Sequence, residues 1–133
     1  MIKRFLNYKP FALDLGLFIL RVLSAAFLLT HGWPKVSAFT QRMNSFPDPF
    51  GIGSITSFSL VVFAEFFCSI LVILGLWTRF AVVPIIITMI TVVFVVHGAD
   101  PFGKKEVALL FLATFSTIFF TGPGKYSIDG VRG

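Results

Sequence analysis

Four long apolar stretches, separated by short segments rich in Pro, Gly and charge, leave this chain few ways to fold. They lie at about residues 11–33, 55–77, 79–97 and 105–121. A helix rises about 1.5 Å per residue, so roughly 20 apolar residues cross a hydrocarbon core of about 30 Å. The third and fourth stretches are a little short and need flanking residues such as Arg79 and Lys105, whose stems reach the interface. Only 13% of the 133 residues are charged, against about 25% in a soluble domain. Too few polar side chains remain to cover a globule of this size. The composition also excludes a disordered chain, a collagen-like chain and a disulfide-rich domain. The expected architecture is all-α: one domain over residues 1–133, a four-helix transmembrane bundle running up-down-up-down.

The third stretch tests that reading, because Val82, Val83, Ile85, Ile86, Ile87, Val92, Val93, Val95 and Val96 would favour a strand in water. In hydrocarbon an isolated strand leaves its backbone unpaired, whereas a helix satisfies itself. A membrane barrel needs segments of alternating polarity, and none is present. Pro84 is expected to bend this helix. Trp33, Trp77 and Tyr126 sit where interfacial aromatics belong. Pro34 is expected to disturb or end the first helix. Pro47, Asp48, Pro49, Gly51 and Gly53 mark Asn44–Gly53 as a loop, and Gly122-Pro123-Gly124 stops the fourth helix. The first stretch is too long for a signal h-region and no small-residue cleavage site follows it, so it is expected to be a retained helix.

The net charge of +5 arises from basic residues at the ends of the apolar stretches. It fits anchoring at anionic lipid, not a nucleic-acid site, since no basic stripe with interleaved aromatics exists. Lys3, Arg4, Lys9, Arg79, Lys125 and Arg132 fall on one side, and Lys35, Arg42, Lys104 and Lys105 on the other. The bias places both termini in the cytoplasm. Cys68, the single cysteine, reads as a small core residue.

The informative residues are the ionisable ones inside the stretches. Arg21 and Glu65 fall near the centres of the first and second helices, where a charge costs at least about 2.5–3.5 kcal/mol. Adjacent antiparallel helices would bring both to one depth, and the expectation is a hydrogen-bonded Arg21–Glu65 ion pair. A register lock without chemistry and a protonated, neutral Glu65 are the alternatives. At about 100° per residue, Asp14 lies about 20° from Arg21, with Lys35 and His31 about 40° and 80° away on its other side. These four residues form a polar seam. Its far end, His31 and Lys35, can donate to a carbonyl, a phenolate or an anion. His97 ends the third helix at the same face, and Glu106 opens the fourth, where a carboxylate suits the helix dipole. No HxxxH or ExxH spacing supports a metal or haem site. Phosphate loops, nucleophile elbows and dinucleotide fingerprints are absent from the sequence.

The ordered set of Arg21, His31-Gly32, Lys35, Glu65, Gly75, Thr78-Arg79, Glu106 and the closing GPGKYSIDG (Gly122–Gly130) resembles the DoxX family of small four-helix membrane proteins. The resemblance covers about Leu17–Gly130. It implies a bacterial cytoplasmic (inner) membrane protein that works as a subunit of a quinone-linked oxidoreductase system. On that reading a quinone or small phenolic compound occupies the seam. His31 and Lys35 would meet its oxygens, Arg21 and Glu65 would orient the seam or pass protons, and His97 and Glu106 would join the binding site. Partners would be the lipid bilayer and an oxidoreductase subunit or a second copy. A non-catalytic membrane scaffold and a small proton-coupled transporter are the rival readings.

Overall fold

The computed structural model describes residues 2–133. Among them the chain is helical, with no strand. Four long helices carry the architecture: α1 (Leu13–Ser37), α2 (Ser54–Leu74), α3 (Thr78–Val96) and α4 (Glu106–Thr121). The first three are long and apolar enough to cross a membrane, and α4 is a shorter apolar helix of 16 residues. Short helical pieces at Ile2–Leu6, Phe39–Arg42, Phe102–Lys104 and Ile128–Arg132 decorate the ends.

The helices pack in a closed ring: α1 against α2, α2 against α3, α3 against α4, and α4 back on α1. Ala25, Leu28, Cys68, Val72, Ala81, Val82, Ile85, Phe115 and Ile118 fill the centre. Cys68 is a buried free thiol in this core. Outward faces are large and apolar, with Leu15, Leu23, Phe27, Phe63, Phe67, Phe94 and Leu110 exposed. That inversion suits acyl chains, where burying such a face brings no hydrophobic gain.

Two expected boundaries move. Pro34 does not stop α1, which continues to Ser37, with the Ala38 N–H bonded to the Pro34 carbonyl at 3.1 Å. Proline removes one donor but leaves its own carbonyl able to continue the ladder. Lys35 therefore stays on the helix. α2 ends at Leu74, three residues before Trp77, because Gly75 takes a left-handed φ of 69°. Only glycine adopts that cap without strain, and a Cβ there would also collide with Ser127.

Two π-helical turns interrupt the regular ladder, at Phe63–Phe67 in α2 and Val92–Val96 at the end of α3. Such one-residue expansions concentrate at functional sites. The first contains Glu65, and the second delivers His97.

The turn between α2 and α3 is clasped by the segment after α4. The Asp129 N–H donates to the Gly75 carbonyl at 2.8 Å. The Asp129 carboxylate accepts from Trp77 N, Thr78 N and Thr78 Oγ1, each at 2.9 Å. It thus caps the N-terminus of α3 from across the molecule, and it holds Trp77 at a φ of 50°. Burial acts to raise the Asp129 carboxyl, but the Thr78 and Trp77 donors and Arg132 outweigh it and hold it below the usual carboxylate range. A depressed carboxyl stabilises the fold above its unfolded pKa of about 3.9, and that contribution disappears as pH falls through the folded value. Asp129→Asn should therefore cost about 1 kcal/mol at neutral pH, the usual worth of a cap. It should also flatten the loss of thermal stability expected below about pH 4, measured by unfolding in detergent across the acid-to-neutral range.

Candidate functional site

Glu65 is buried, with 7% of its side chain exposed, and it is paired with Lys35, not Arg21. Lys35 Nζ stands 2.7 Å from both carboxylate oxygens. The contact depends on how closely α1 and α2 cross. A Cβ on Gly32 would lie 2.5 Å from the Glu65 carbonyl oxygen, so only glycine fits that crossing. Side chains on a helix lean toward its N-terminus. The long Lys35 stem therefore runs back into the bundle and reaches the π-turn that carries Glu65.

The expected Arg21–Glu65 pair is corrected by this geometry. Arg21 sits nine residues into α1, level with the end of α2. It is 1% exposed, and all its bonds go to carbonyls. Nε donates to Val72 at 2.9 Å, Nη2 to Tyr126 at 2.8 Å, and Nη1 to Pro123. Asp14, at the same end, accepts from Lys125 N at 3.1 Å. The two acidic and basic ends of the seam thus do different jobs. Arg21 and Asp14 fasten the GPGKYSIDG segment, while Lys35 serves Glu65.

A cavity of about 420 Å³ opens beside the Lys35–Glu65 pair. Its walls come from α2 (Ser57, Leu60, Val61), α3 (Thr88, Thr91, Val92, Val96) and His97, and its roof from Phe46, Pro47, Pro49, Phe50 and Ile52. That volume and that apolar lining suit a small organic molecule. The roof is pinned by Asp48, which accepts from Ile52 N at 3.0 Å, Gly53 N at 2.8 Å and Ser57 Oγ at 2.8 Å. The Ser57 bond, with the Gly53 and Ile52 N–H groups, holds the Asp48 carboxyl below its usual range.

His97 lines this cavity and bonds through Nδ1 to Asp100 Oδ2 at 2.7 Å. That hydrogen bond, helped by Lys104 and Lys105, keeps the Asp100 carboxyl below the usual range. An ionised carboxylate only accepts, so Nδ1 carries a proton, and in the neutral ring it is Nε2 that keeps its lone pair.

His31 does not join Lys35 in the cavity. It is exposed on α1, edge-on to Phe111 of α4 with ring centroids 5.8 Å apart. The reason is angular. Gly32 faces α2, so His31, about 100° back around the helix, looks toward α4. Lys35 spans the difference with a four-carbon stem, and imidazole cannot. Glu106 is exposed at the start of α4 and lines no part of the cavity. Among the described residues no three His, Cys, Asp or Glu side chains are placed to hold a metal ion.

The structure thus brings together Lys35, Glu65 and His97, and leaves Arg21, His31 and Glu106 elsewhere. Ser57, Asp48, Thr88 and Thr91 were not singled out from the sequence. Asp48 alone left a signal, as the acidic residue of a Pro/Gly loop nine positions before a serine.

No curated protein and no solved structure matches this sequence. The DoxX family model matches residues 16–98, more than half of the chain. Arg21, His31, Lys35, Glu65 and His97 fall inside the match, whereas Glu106 and Gly122–Gly130 lie beyond it. With its apolar helices and this match, the chain is a membrane protein that belongs to the DoxX family.

Proposed function

We propose that this protein crosses a bacterial cytoplasmic membrane four times with both termini in the cytoplasm, and serves as the membrane subunit of a quinone-linked oxidoreductase system. A quinone or small phenolic compound would occupy the cavity under the Phe46–Ile52 roof. The observation that supports this most is the pairing of a largely apolar cavity with a buried Lys35–Glu65 pair on one wall and an Asp100-oriented histidine on another.

The lining fits such a ring. Leu60, Val61, Val92 and Val96 offer flat apolar contact, and Phe46 and Phe50 close over it. A quinone couple, when bound, supplies two-electron, two-proton chemistry. Lys35 can direct a hydrogen toward a ring oxygen, while Glu65 fixes the ammonium in place. His97 can take a proton at Nε2 or return it, with Asp100 stabilising the charged ring. Both act in a medium of low dielectric, where such bonds strengthen. A soluble or membrane partner would deliver the electrons.

Purified protein in nanodiscs, titrated with a short-chain quinone couple, tests this reading. Binding should be saturable, and Lys35→Met should weaken it by about tenfold or more, the worth of one charge-assisted bond. His31→Ala should leave it unchanged, and a loss there would move the site to the α1–α4 face. Absence of binding by either redox form would remove the proposal.

A further inference from the structure

The hydrogens around the cavity are already committed. Ser57 Oγ donates to Asp48 at 2.8 Å, Thr88 Oγ1 to the Pro84 carbonyl at 2.8 Å, and Thr91 Oγ1 to the Ile87 carbonyl at 2.9 Å. Each hydroxyl has one hydrogen, so it turns only lone pairs toward the space it lines. Pro47 and Pro49 in the roof have no N–H to offer. Glu65, paired with the Lys35 ammonium, is an acceptor, and His97, whose Nδ1 is bonded to Asp100, presents Nε2 as one whenever its ring is neutral. With His97 neutral, the third ammonium hydrogen of Lys35 is the one uncommitted hydrogen among the described lining side chains, the other two being held by the Glu65 oxygens.

Resting on the reading of this cavity as a site for an aromatic ligand, we propose that it selects the reduced, dihydroxy form of the couple over the oxidised quinone. A dihydroxyarene brings two O–H donors into a wall of acceptors: one for Glu65 beside Lys35, the other for His97 Nε2 or a threonine oxygen. A quinone brings two acceptors, of which Lys35 can answer one. The second would be desolvated without a partner, and that mismatch is what excludes a ligand most effectively. Charge narrows the class further. A ligand ammonium would meet Lys35, and a ligand anion would meet Glu65, with Asp48 and Asp100 nearby. The favoured ligand is neutral and donates.

The test uses the full chain in nanodiscs under anaerobic conditions. Its probes are a methyl-substituted 1,4-benzoquinone, the matching hydroquinone, and that hydroquinone's dimethyl ether. The hydroquinone should bind about tenfold tighter than either of the others, a difference of about 1.4 kcal/mol. His97→Phe, at a half-exposed helix end, should shrink that ratio. Equal or tighter binding of the quinone, or of the ether, would overturn the selection while leaving the cavity's assignment standing. Failure of all three to bind would overturn both.

Discussion

Arg21→Met should lower stability more than any other single substitution in the chain. The guanidinium joins three segments at once: α1, the last turn of α2 and the loop after α4. Methionine matches the stem but removes the guanidinium bonds to the carbonyls of Val72, Pro123 and Tyr126, of which Val72 keeps its bond from the Gly75 N–H. A hydrogen bond to a charged group is worth about 1.5–3 kcal/mol, and three are lost, so a loss of several kcal/mol is expected. The midpoint of unfolding in mild detergent should fall sharply, and abundance in membranes with it. Arg21→Lys should rescue only part, because one ammonium cannot span the fork that guanidinium makes. An unchanged midpoint for Arg21→Met would show that Asp14 and Asp129 hold the C-terminal segment without it.

Lys35→Met should come second. It strands a buried carboxylate on the wall of a largely apolar cavity. Breaking one half of a buried pair costs about 3–5 kcal/mol, whereas replacing both halves is often close to neutral. The double variant Lys35→Met/Glu65→Gln should therefore regain much of the stability lost by the single one. It should not regain ligand binding. That separation, read by unfolding and by quinone titration on the same samples, divides the pair's role in folding from its role in the site. If the double variant is as unstable as the single one, the pair is not what costs the energy.

Much of the fold was legible. The apolar stretches located all four long helices to within a few residues, and Glu65 stood out as a carboxylate that lipid could not tolerate alone. Its partner was misread because helical periodicity reports angle and not depth. Arg21, Lys35 and Gly32 share one side of α1, and nothing in the spacing says which of them meets the middle of α2. Depth is set by where the turns fall, and α2 stopped early at Gly75. The π-turns were invisible as well, since Phe63–Phe67 and Val92–Val96 are apolar runs like any other. The roof of the cavity was marked only as a loop, because a Pro/Gly segment announces a turn and not what it folds over. His97 was legible as a residue of the right face, but its carboxylate partner is fixed by the turn that follows α3.

The clasp on Arg21 has a consequence for biosynthesis. Two of the three residues that accept its hydrogens lie 102 and 105 positions further along the chain, and the third, Val72, lies 51. During translation Arg21 and Val72 are made long before Pro123 and Tyr126, so α1, α2 and α3 precede the segment that completes the guanidinium's bonds. Insertion and final closure are therefore separate events, and a ribosome stalled after α3 would expose a species that quality-control proteases can recognise.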